Sequence, residues 1–175
     1  MPPFDSTDLP QDLAESLSKD FFIRFTTTGR RTGIPRTSET TFVWDKDGSF
    51  VVSGYPGKRD WIANMAADAN VTLHTVEHGV YYDIPVKAEV ITRREDRTGP
   101  LIAFLSRWAS RPQATQKLFR LALGAIRVNH KLKLPWWGPF WAARKVLDRM
   151  PCARLVMVSF PTPRRGPPPQ RSREV

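Results

Sequence analysis

The stretch 21–44 constrains the fold most, because it joins two β-prone runs through a short turn with a glycine at each end. Aromatic and β-branched residues dominate 21–28 and 37–44, and both runs have the length of ordinary strands. Only a few residues separate them, so the second run must fold back along the first. The pattern therefore predicts an antiparallel hairpin.

The tip of this hairpin carries three arginines. Gly29 and Gly33 bracket Arg30 and Arg31, and Arg36 begins the second run. Glycines permit sharp turns that leave backbone N–H groups pointing outward. A guanidinium binds a phosphate or a carboxylate through two parallel hydrogen bonds. The tip is therefore either a solvated basic turn or an anion-binding loop.

A second basic loop follows at 55–59, after a short apolar run at 49–54. The next residues, 60–68, are predicted to form a helix with Asp60 as its N-cap. A basic loop that leads into a helix N-terminus suits anions, because the N–H groups and the helix dipole point the same way. Two such loops favour a long ligand with several negative charges.

Period-two alternation over 80–90 predicts a sheet with one buried face and one exposed face. Val80, Tyr82 and Ile84 begin the apolar side, whereas Tyr81 and Asp83 begin the polar side. Such strands, separated by turns, are typical of a small antiparallel barrel. Further strands are predicted at 49–54, 71–76 and 154–160, and helices at 8–19, 100–110, 114–129 and up to 149.

Length and charge indicate one domain with a basic helical part. The 175 residues can bury a sizeable core. We predict a single domain over 1–160, with 93–150 as a helical basic insertion or lid and 161–175 as a disordered, proline- and arginine-rich tail. The net charge of +10 is concentrated in 93–150, which holds 13 basic and 3 acidic residues. This patch could meet anionic lipid, nucleic acid or a charged cofactor.

Several classes of site have no sequence support. The histidines His74, His78 and His130 lack the spacing of metal ligands, so no metal site is predicted. Cys152 precedes an apolar run and is interpreted as a small core residue. There is no Walker loop, nucleophile elbow or dinucleotide fingerprint. We see neither a signal peptide nor an apolar run of spanning length, so the expected location is cytoplasmic.

Two motifs resemble one known family. G-R-R-T-G-I-P-R at 29–36 resembles the G-R-K/R-S/T-G-x-P-R turn of the deazaflavin-dependent nitroreductase and quinone reductase family. W-I-A-N-M-A-A-D-A-N-V at 61–71 resembles that family's W-x-x-N-L-x-A-N-P-x-V helix. The resemblance covers 22–90 and a final strand near 154–160. It implies an α+β fold: an antiparallel split β-barrel of the FMN-binding-like type, with flanking helices and a helical insertion before the last strand.

The resemblance also implies a cofactor and the residues that bind it. The family's cofactor is coenzyme F-420, an 8-hydroxy-5-deazaflavin with a phosphodiester and an oligoglutamate tail; related split barrels use FMN, which is the alternative. A polyanionic tail matches two basic loops. By motif match, the cofactor-binding residues are expected to be Arg30, Arg31, Thr32, Gly33, Pro35, Arg36, Ser53, Gly54, Gly57, Lys58, Arg59, Trp61 and Asn64.

The implied activity is hydride transfer from reduced deazaflavin to a small apolar electrophile such as a quinone, an enone, a nitroaromatic or an unsaturated polyketide. A scarcity of catalytic side chains is expected where a cofactor carries the chemistry. Tyr82, Tyr81 and Ser53 are the candidate proton donors, although Tyr82 also fits a core aromatic. The alternatives are a carrier or sensor that binds F-420, FMN or haem without turnover, and a nucleic-acid-binding protein, for which no motif is present.

Two questions of partnership stay open at this level. The aromatic cluster Trp136, Trp137, Phe140 and Trp141 could pack a lid, line an apolar substrate pocket or lie at a membrane interface. The last option would make the protein peripheral to the inner face of the membrane, with contact through 93–150. The split-barrel group often dimerises, so a homodimer is expected from the resemblance.

Overall fold

The computed structural model describes residues 9–45, 48–110 and 116–172. Within these ranges the chain forms five helices and seven strands. In chain order they are α1 (Gln11–Lys19), β1 (Phe22–Thr28), β2 (Pro35–Asp45), β3 (Ser49–Ser53), α2 (Asp60–Ala67), β4 (Asn70–Thr75), β5 (Tyr82–Val90), α3 (Arg94–Trp108), α4 (Gln116–Lys131), α5 (Pro139–Arg149), β6 (Cys152–Met157) and β7 (Thr162–Pro163). Among them, no helix has the length and apolar content needed to cross a membrane.

Six strands close into an antiparallel barrel. Their order is β4-β1-β2-β3-β6-β5, and β4 pairs with β5 to complete the ring. The predicted hairpin is present, because β1 and β2 pair from Phe22 with Thr41 to Thr28 with Pro35. The α+β fold with a split barrel is therefore confirmed. The helical insertion precedes β6, the strand predicted near 154–160, and a further short strand, β7, pairs with the start of β5.

Alternate side chains of the strands fill the barrel. Ile23 and Phe25 of β1 and Leu73 of β4 are fully buried, and Tyr82 and Ile84 of β5 are buried too. This alternation follows from the period of two along a strand. Helix α1 covers the same core with its own buried leucines. The sequence pattern at 80–90 thus assigns the buried face correctly.

Helices α3 and α5 contribute to a second core on the outside of the barrel, and α4 packs against α3. Leu101 and Phe104 of α3 meet Leu147, Met150 and Cys152 there. Burial raises the pKa of the Cys152 thiol to about 11, so it stays protonated at neutral pH. These helices place apolar side chains over one side of the barrel, beside the end of β3.

Two helix boundaries differ from the sequence prediction. Helix α3 begins at Arg94 and contains Pro100, which was expected to start it. A proline removes one backbone hydrogen bond, and the buried face of α3 retains the helix around it. Asp60 is the first residue of α2 rather than its N-cap; Arg59 occupies the cap position, and no side chain caps the helix.

The described part of the C-terminal segment, 161–172, lies along the barrel, and 173–175, the end of the tail predicted to be disordered, lie outside the described residues. The N–H of Ser172 donates to the carbonyl of Thr37 at 2.9 Å, and the N–H of Thr37 donates to Ser172 Oγ at 2.9 Å. Arg164 forms an ion pair with Asp83 at 2.8 Å. Backbone hydrogen bonds and this ion pair hold the segment, although it contributes few apolar side chains.

Candidate functional site

The two basic loops face one shared cavity of about 360 Å³. The cavity, here called the cationic cavity, lies where the turn between β1 and β2 meets the loop before α2. Both loops contribute because α2 packs against β1 and β5 and so brings its N-terminal end beside the turn. The residues that line it are Gly29, Arg30, Arg31, Thr32, Arg36, Thr37, Ser38, Lys58, Arg59, Asp60, Trp61, Asn64, Arg171 and Ser172.

Glycines give the β1–β2 turn its tight geometry. The N–H of Gly29 donates to the carbonyl of Ile34 at 3.0 Å, and the N–H of Gly33 donates to the carbonyl of Gly29 at 2.7 Å. A Cβ at Gly29 would lie 2.9 Å from the Ile34 carbonyl oxygen, which is too close. Gly33 has a φ of +67°, a conformation that side chains disfavour. The turn therefore requires both glycines.

Arg30 joins the turn to α2. Its backbone N–H and its Nη1 donate to Asn64 Oδ1 at 3.2 and 3.1 Å, and its Nη2 contacts Asp60 Oδ1 at 3.0 Å. Asn64 is buried and donates its own Nδ2 to Thr27 Oγ1 at 3.4 Å. The protein itself therefore engages the Arg30 guanidinium, which makes Arg30 a positioning residue for the cavity.

Three other cations of the cavity have no such partner. Within the described ranges, Arg31, Arg36 and Lys58 make no side-chain hydrogen bond or ion pair with the protein. Arg31 and Lys58 are exposed and Arg36 is half-buried. Arg59 donates from Nε to the carbonyl of Tyr55 at 3.4 Å. Cationic groups without protein partners in a concave site are suited to bind an anion.

A second, larger cavity adjoins the first. This apolar cavity has a volume of about 620 Å³ and shares the residues Ser38, Arg59, Trp61 and Arg171 with the cationic cavity. Trp61 stands at the junction, with its ring edge-on to Phe25 at 5.3 Å. Besides Phe25 and the four shared residues, the apolar cavity is lined by Phe21, Phe22, Glu39, Thr40, Thr41, Ser53, Gly54, Tyr55, Pro56, Phe104, Leu105, Trp108, Phe119, Val146 and Met150. The two cavities form one groove, charged at one end and apolar at the other.

Most of the cofactor-binding residues predicted from the motifs line this groove. Ser53 and Gly54 line its apolar part, and the predicted residues of the cationic part are Arg30, Arg31, Thr32, Arg36, Lys58, Arg59, Trp61 and Asn64. Gly33, Pro35 and Gly57 do not line either cavity. Gly57 has a φ of +124° and donates its N–H to the carbonyl of Arg149 at 2.9 Å, so its role is in the backbone.

The three candidate proton donors have other neighbours. The Tyr82 ring is buried in the barrel core, and its hydroxyl donates to the exposed Asp12 carboxylate of α1 at 3.2 Å. Burial, with a smaller effect from Asp12, raises the Tyr82 pKa. Tyr81 lines neither cavity of the groove. Ser53 does line the apolar cavity, but its hydroxyl donates to the Pro151 carbonyl at 2.6 Å. The Tyr82 and Ser53 hydroxyls are therefore hydrogen-bonded to the protein, and Tyr81 lies outside the groove.

Sequence reasoning missed several residues of the groove. Thr37 and Ser38 directly follow Arg36 in β2, so the strand pattern could have included them. Tyr55 lines the apolar cavity from the second basic loop, with 74% of the residue exposed. Arg171 and Ser172 come from the C-terminal segment, and no sequence signal indicated that this segment returns to the site.

The aromatic cluster at 136–141 divides between core and surface. Trp136 is half-buried in the second core, and the Arg144 guanidinium lies 5.0 Å from its ring centroid. Trp137 and Trp141 are exposed. The cluster does not line the groove. In the described part of the chain, no group of three or more His, Cys, Asp or Glu side chains is placed to hold a metal.

Comparisons with known proteins agree with this architecture. Residues 11–97, about half of the chain, match the model of a family described as F420H(2)-dependent quinone reductase. These residues include both basic loops and α2. No curated protein sequence gives a significant match.

Solved structures with the same fold share little sequence with the chain. A candidate 5-nitroimidazole antibiotic resistance protein from Bacteroides thetaiotaomicron superposes with a TM-score of 0.56 at 10% identity, covering 87% of this chain and 82% of the other. A candidate pyridoxamine 5'-phosphate oxidase from Listeria innocua gives 0.53 at 8%, covering 87% and 94%. HutZ, the heme storage protein from Vibrio cholerae, gives 0.50 at 13%, covering 89% and 94%. At these identities the likeness shows the fold alone.

Proposed function

The chain belongs to the F420H(2)-dependent quinone reductase family, and we propose that it binds reduced coenzyme F-420 in the groove and reduces a small apolar acceptor there. The acceptor class is an electrophile such as a quinone, an enone, a nitroaromatic or an unsaturated polyketide. One observation carries this proposal: the cationic and apolar cavities adjoin each other and share Ser38, Arg59 and Trp61.

The cationic cavity fits the charged part of the cofactor. Arg31, Arg36 and Lys58 are available for phosphate and carboxylate groups, and the Thr32 hydroxyl lies beside them. Both loops contribute cations to one cavity. The single phosphate of FMN needs one anion-binding loop, whereas a phosphodiester with an oligoglutamate tail would use both. The charge distribution thus favours F-420 over FMN.

The apolar cavity fits an acceptor without charge. Phe104, Leu105 and Trp108 of α3 wall it on one side, and Phe25 of the barrel lies on the other. Apolar walls exclude water from the site and favour an apolar ligand. A neighbouring polar group, the Tyr55 hydroxyl, has no hydrogen-bond partner within the described residues.

The residues of the chain bind, orient and desolvate, and the cofactor carries the redox chemistry. When bound, reduced deazaflavin supplies a hydride. The cations hold the charged tail, Trp61 lies where the two cavities meet, and the helices α3 to α5 keep water from the acceptor. We assign proton delivery to the Tyr55 hydroxyl in place of Tyr82, which bonds to the Asp12 carboxylate of α1.

A cofactor-binding protein without turnover is the second candidate. The observation that favours it is the engagement of Tyr82 and Ser53 in hydrogen bonds to the protein. Such a protein would bind the cofactor equally well and would leave the acceptor unreduced.

Two measurements test the proposal. Fluorescence titration of the purified protein with oxidised F-420 and with FMN should give tighter binding of F-420. Anaerobic mixing of the reduced-cofactor complex with a panel of quinones and nitroaromatics should regenerate the absorbance of oxidised cofactor faster than the same mixture without protein. Binding with no acceleration for any acceptor would support the carrier, and tighter binding of FMN would overturn the cofactor assignment.

A further inference from the structure

A row of large apolar side chains on α4, on α5 and on the loop between them is exposed, and the groove does not use it. We call this row, together with the cations around it, the α4–α5 surface. We propose that it docks on an anionic lipid bilayer. The exposed fractions of its apolar members run from 47% to 72%. They are Leu121, Val128, Leu132, Leu134, Trp137 and Trp141.

Helix α4 has two apolar faces, and the described protein covers only one. Leu123 is buried, and Phe119 packs edge-on against an aromatic ring of α3 at 5.6 Å between centroids. Leu121, Val128 and Leu132 follow one another at i, i+7 and i+11, which places them on one stripe. This stripe is the exposed one. A helix that serves only as a cover for the barrel requires a single apolar face.

The stripe continues into tryptophans that stand beside lysines. Trp137 is 71% exposed just before α5, and Trp141 is 54% exposed in its first turn. The Lys145 ammonium lies 3.9 Å from the centroid of the Trp141 ring. An indole is apolar with one polar N–H, and a lysine can extend its charge toward water. This pair suits the boundary between lipid tails and headgroups.

The charge around the stripe is almost purely positive. Residues 116–149 contain eight lysines and arginines and a single acidic residue, Asp148. Arg94 and Arg144 already engage Asp148, at 2.7 and 3.4 Å. Lys131 and Lys133 have no acidic partner within the described residues. An anionic lipid surface strengthens binding by about fivefold for each cation held near it.

The combination of charge and apolar surface separates a bilayer from other occupants. Nucleic acid would satisfy the cations but would leave Leu121, Leu132 and Trp137 in water. A second copy of the same surface would cover the apolar side chains but would bring like charges together. An anionic bilayer satisfies both, because its headgroups are negative and its interior is apolar.

Docking here would bring the apolar cavity next to lipid. Phe119 of α4 and Val146 of α5 line that cavity from the inner side of the same two helices. An acceptor dissolved in the bilayer would then have a short path to the groove. This consequence rests on the proposed function, whereas the docking itself does not.

Vesicle co-sedimentation of the full chain without cofactor tests the proposal. We expect pelleting with phosphatidylcholine vesicles that contain phosphatidylglycerol, little pelleting with phosphatidylcholine alone, and loss of pelleting at about 1 M salt, where the Debye length falls to about 3 Å. Lys131→Gln with Lys133→Gln should weaken binding at least about tenfold. The charge-matched control, Lys19→Gln with Lys87→Gln, should bind as the wild type does.

A second pair of variants tests the apolar side chains of the α4–α5 surface. Trp137→Ala with Trp141→Ala should weaken pelleting, and Val158→Ala with Phe160→Ala, which removes exposed apolar groups elsewhere, should not. The proposal would be overturned if all variants bound equally or if the protein bound neutral vesicles as well as anionic ones. It would also be overturned by pelleting without vesicles, or by release from vesicles with duplex DNA at low concentration. F-420 titration should be the same in every variant, so its outcome distinguishes this proposal from the proposed function.

Discussion

Asn64 accepts two hydrogen bonds from Arg30, one from the backbone N–H at 3.2 Å and one from Nη1 at 3.1 Å. These residues come from the two motifs that resemble the family, and their contact joins the basic turn to helix α2. The distance between the two cationic loops is therefore fixed by a buried amide rather than by the cations, which would repel one another.

Replacing Asn64 with leucine should separate the loops and destabilise the protein. The substitution removes the acceptor of the Arg30 backbone N–H and leaves Nη1 only the Asp60 carbonyl at 3.4 Å, at a cost of about 1–3 kcal/mol. Urea denaturation should show this loss, and F-420 should bind more weakly. Asn70→Ala, at an exposed asparagine, is the control and should change neither quantity. An unchanged midpoint for Asn64→Leu would show that the contact contributes nothing.

Tyr55→Phe should lower the rate of acceptor reduction without weakening cofactor binding. The hydroxyl lines the apolar cavity but lies outside the cationic one. A positioned proton donor accelerates a reaction by about 10²-fold or more, so we expect kcat to fall by about that factor. Stopped-flow reduction of a quinone measures it. Tyr82→Phe is the comparison. A larger fall in kcat for Tyr82→Phe than for Tyr55→Phe would assign proton donation to Tyr82.

The C-terminal segment should contribute to cofactor binding. Arg171 lines both cavities, and Ser172 holds it in place through hydrogen bonds to Thr37. Arg171→Ala should raise the Kd for F-420 by about tenfold, the effect of one charge-assisted hydrogen bond. Arg165→Ala is the control from the same segment. Tighter binding after loss of Arg171 would mean that the segment blocks the groove.

Stability should fall as pH decreases below neutral because of His74. Its Nδ1 lies 2.6 Å from Asp83 Oδ1, and its Nε2 lies 2.8 Å from Thr26 Oγ1. Burial lowers the His74 pKa below its ordinary value of 6.5 and outweighs the opposing effect of Asp83. As the pH falls through about 6.5, His74 becomes protonated in the unfolded chain but stays neutral in the folded protein. Protonation therefore favours the unfolded state, and the free energy of unfolding decreases.

Denaturation at about pH 7.5 and about pH 5.5 measures this dependence. The wild type should lose stability between the two, and His74→Gln should lose less because the titrating group is gone. An equal loss in both proteins would assign the dependence to other groups.

The sequence predicted the barrel and the two loops well because local patterns control them. Alternation fixed the buried face of β5, and β-prone runs around Gly29 and Gly33 fixed the hairpin. Arg30 was expected to bind the ligand, but its guanidinium contacts Asp60 and Asn64, which only the packing of α2 against β1 could reveal. The hydrogen bonds of Ser53 to Pro151 and of Tyr82 to Asp12 were equally hidden from local patterns, since these partners are distant in sequence.

Long-range contacts also explain what the sequence did not predict. Arg171 enters the groove because Ser172 pairs with Thr37, a contact across most of the chain. Composition alone made that segment look disordered. The homodimer expected from the family resemblance stays a prediction, and gel filtration with light scattering can test it.

Titration of F-420 into the double variant Arg31→Ala with Arg36→Ala tests the cationic cavity most directly. Both side chains are without protein partners in the described ranges, so their removal should leave the fold intact. Arg154→Ala with Arg165→Ala removes the same charge at residues that do not line the groove and serves as the control. We predict a Kd raised at least about tenfold for the first pair and unchanged for the second. An unchanged Kd for the first pair would contradict the assignment of the groove as the cofactor site.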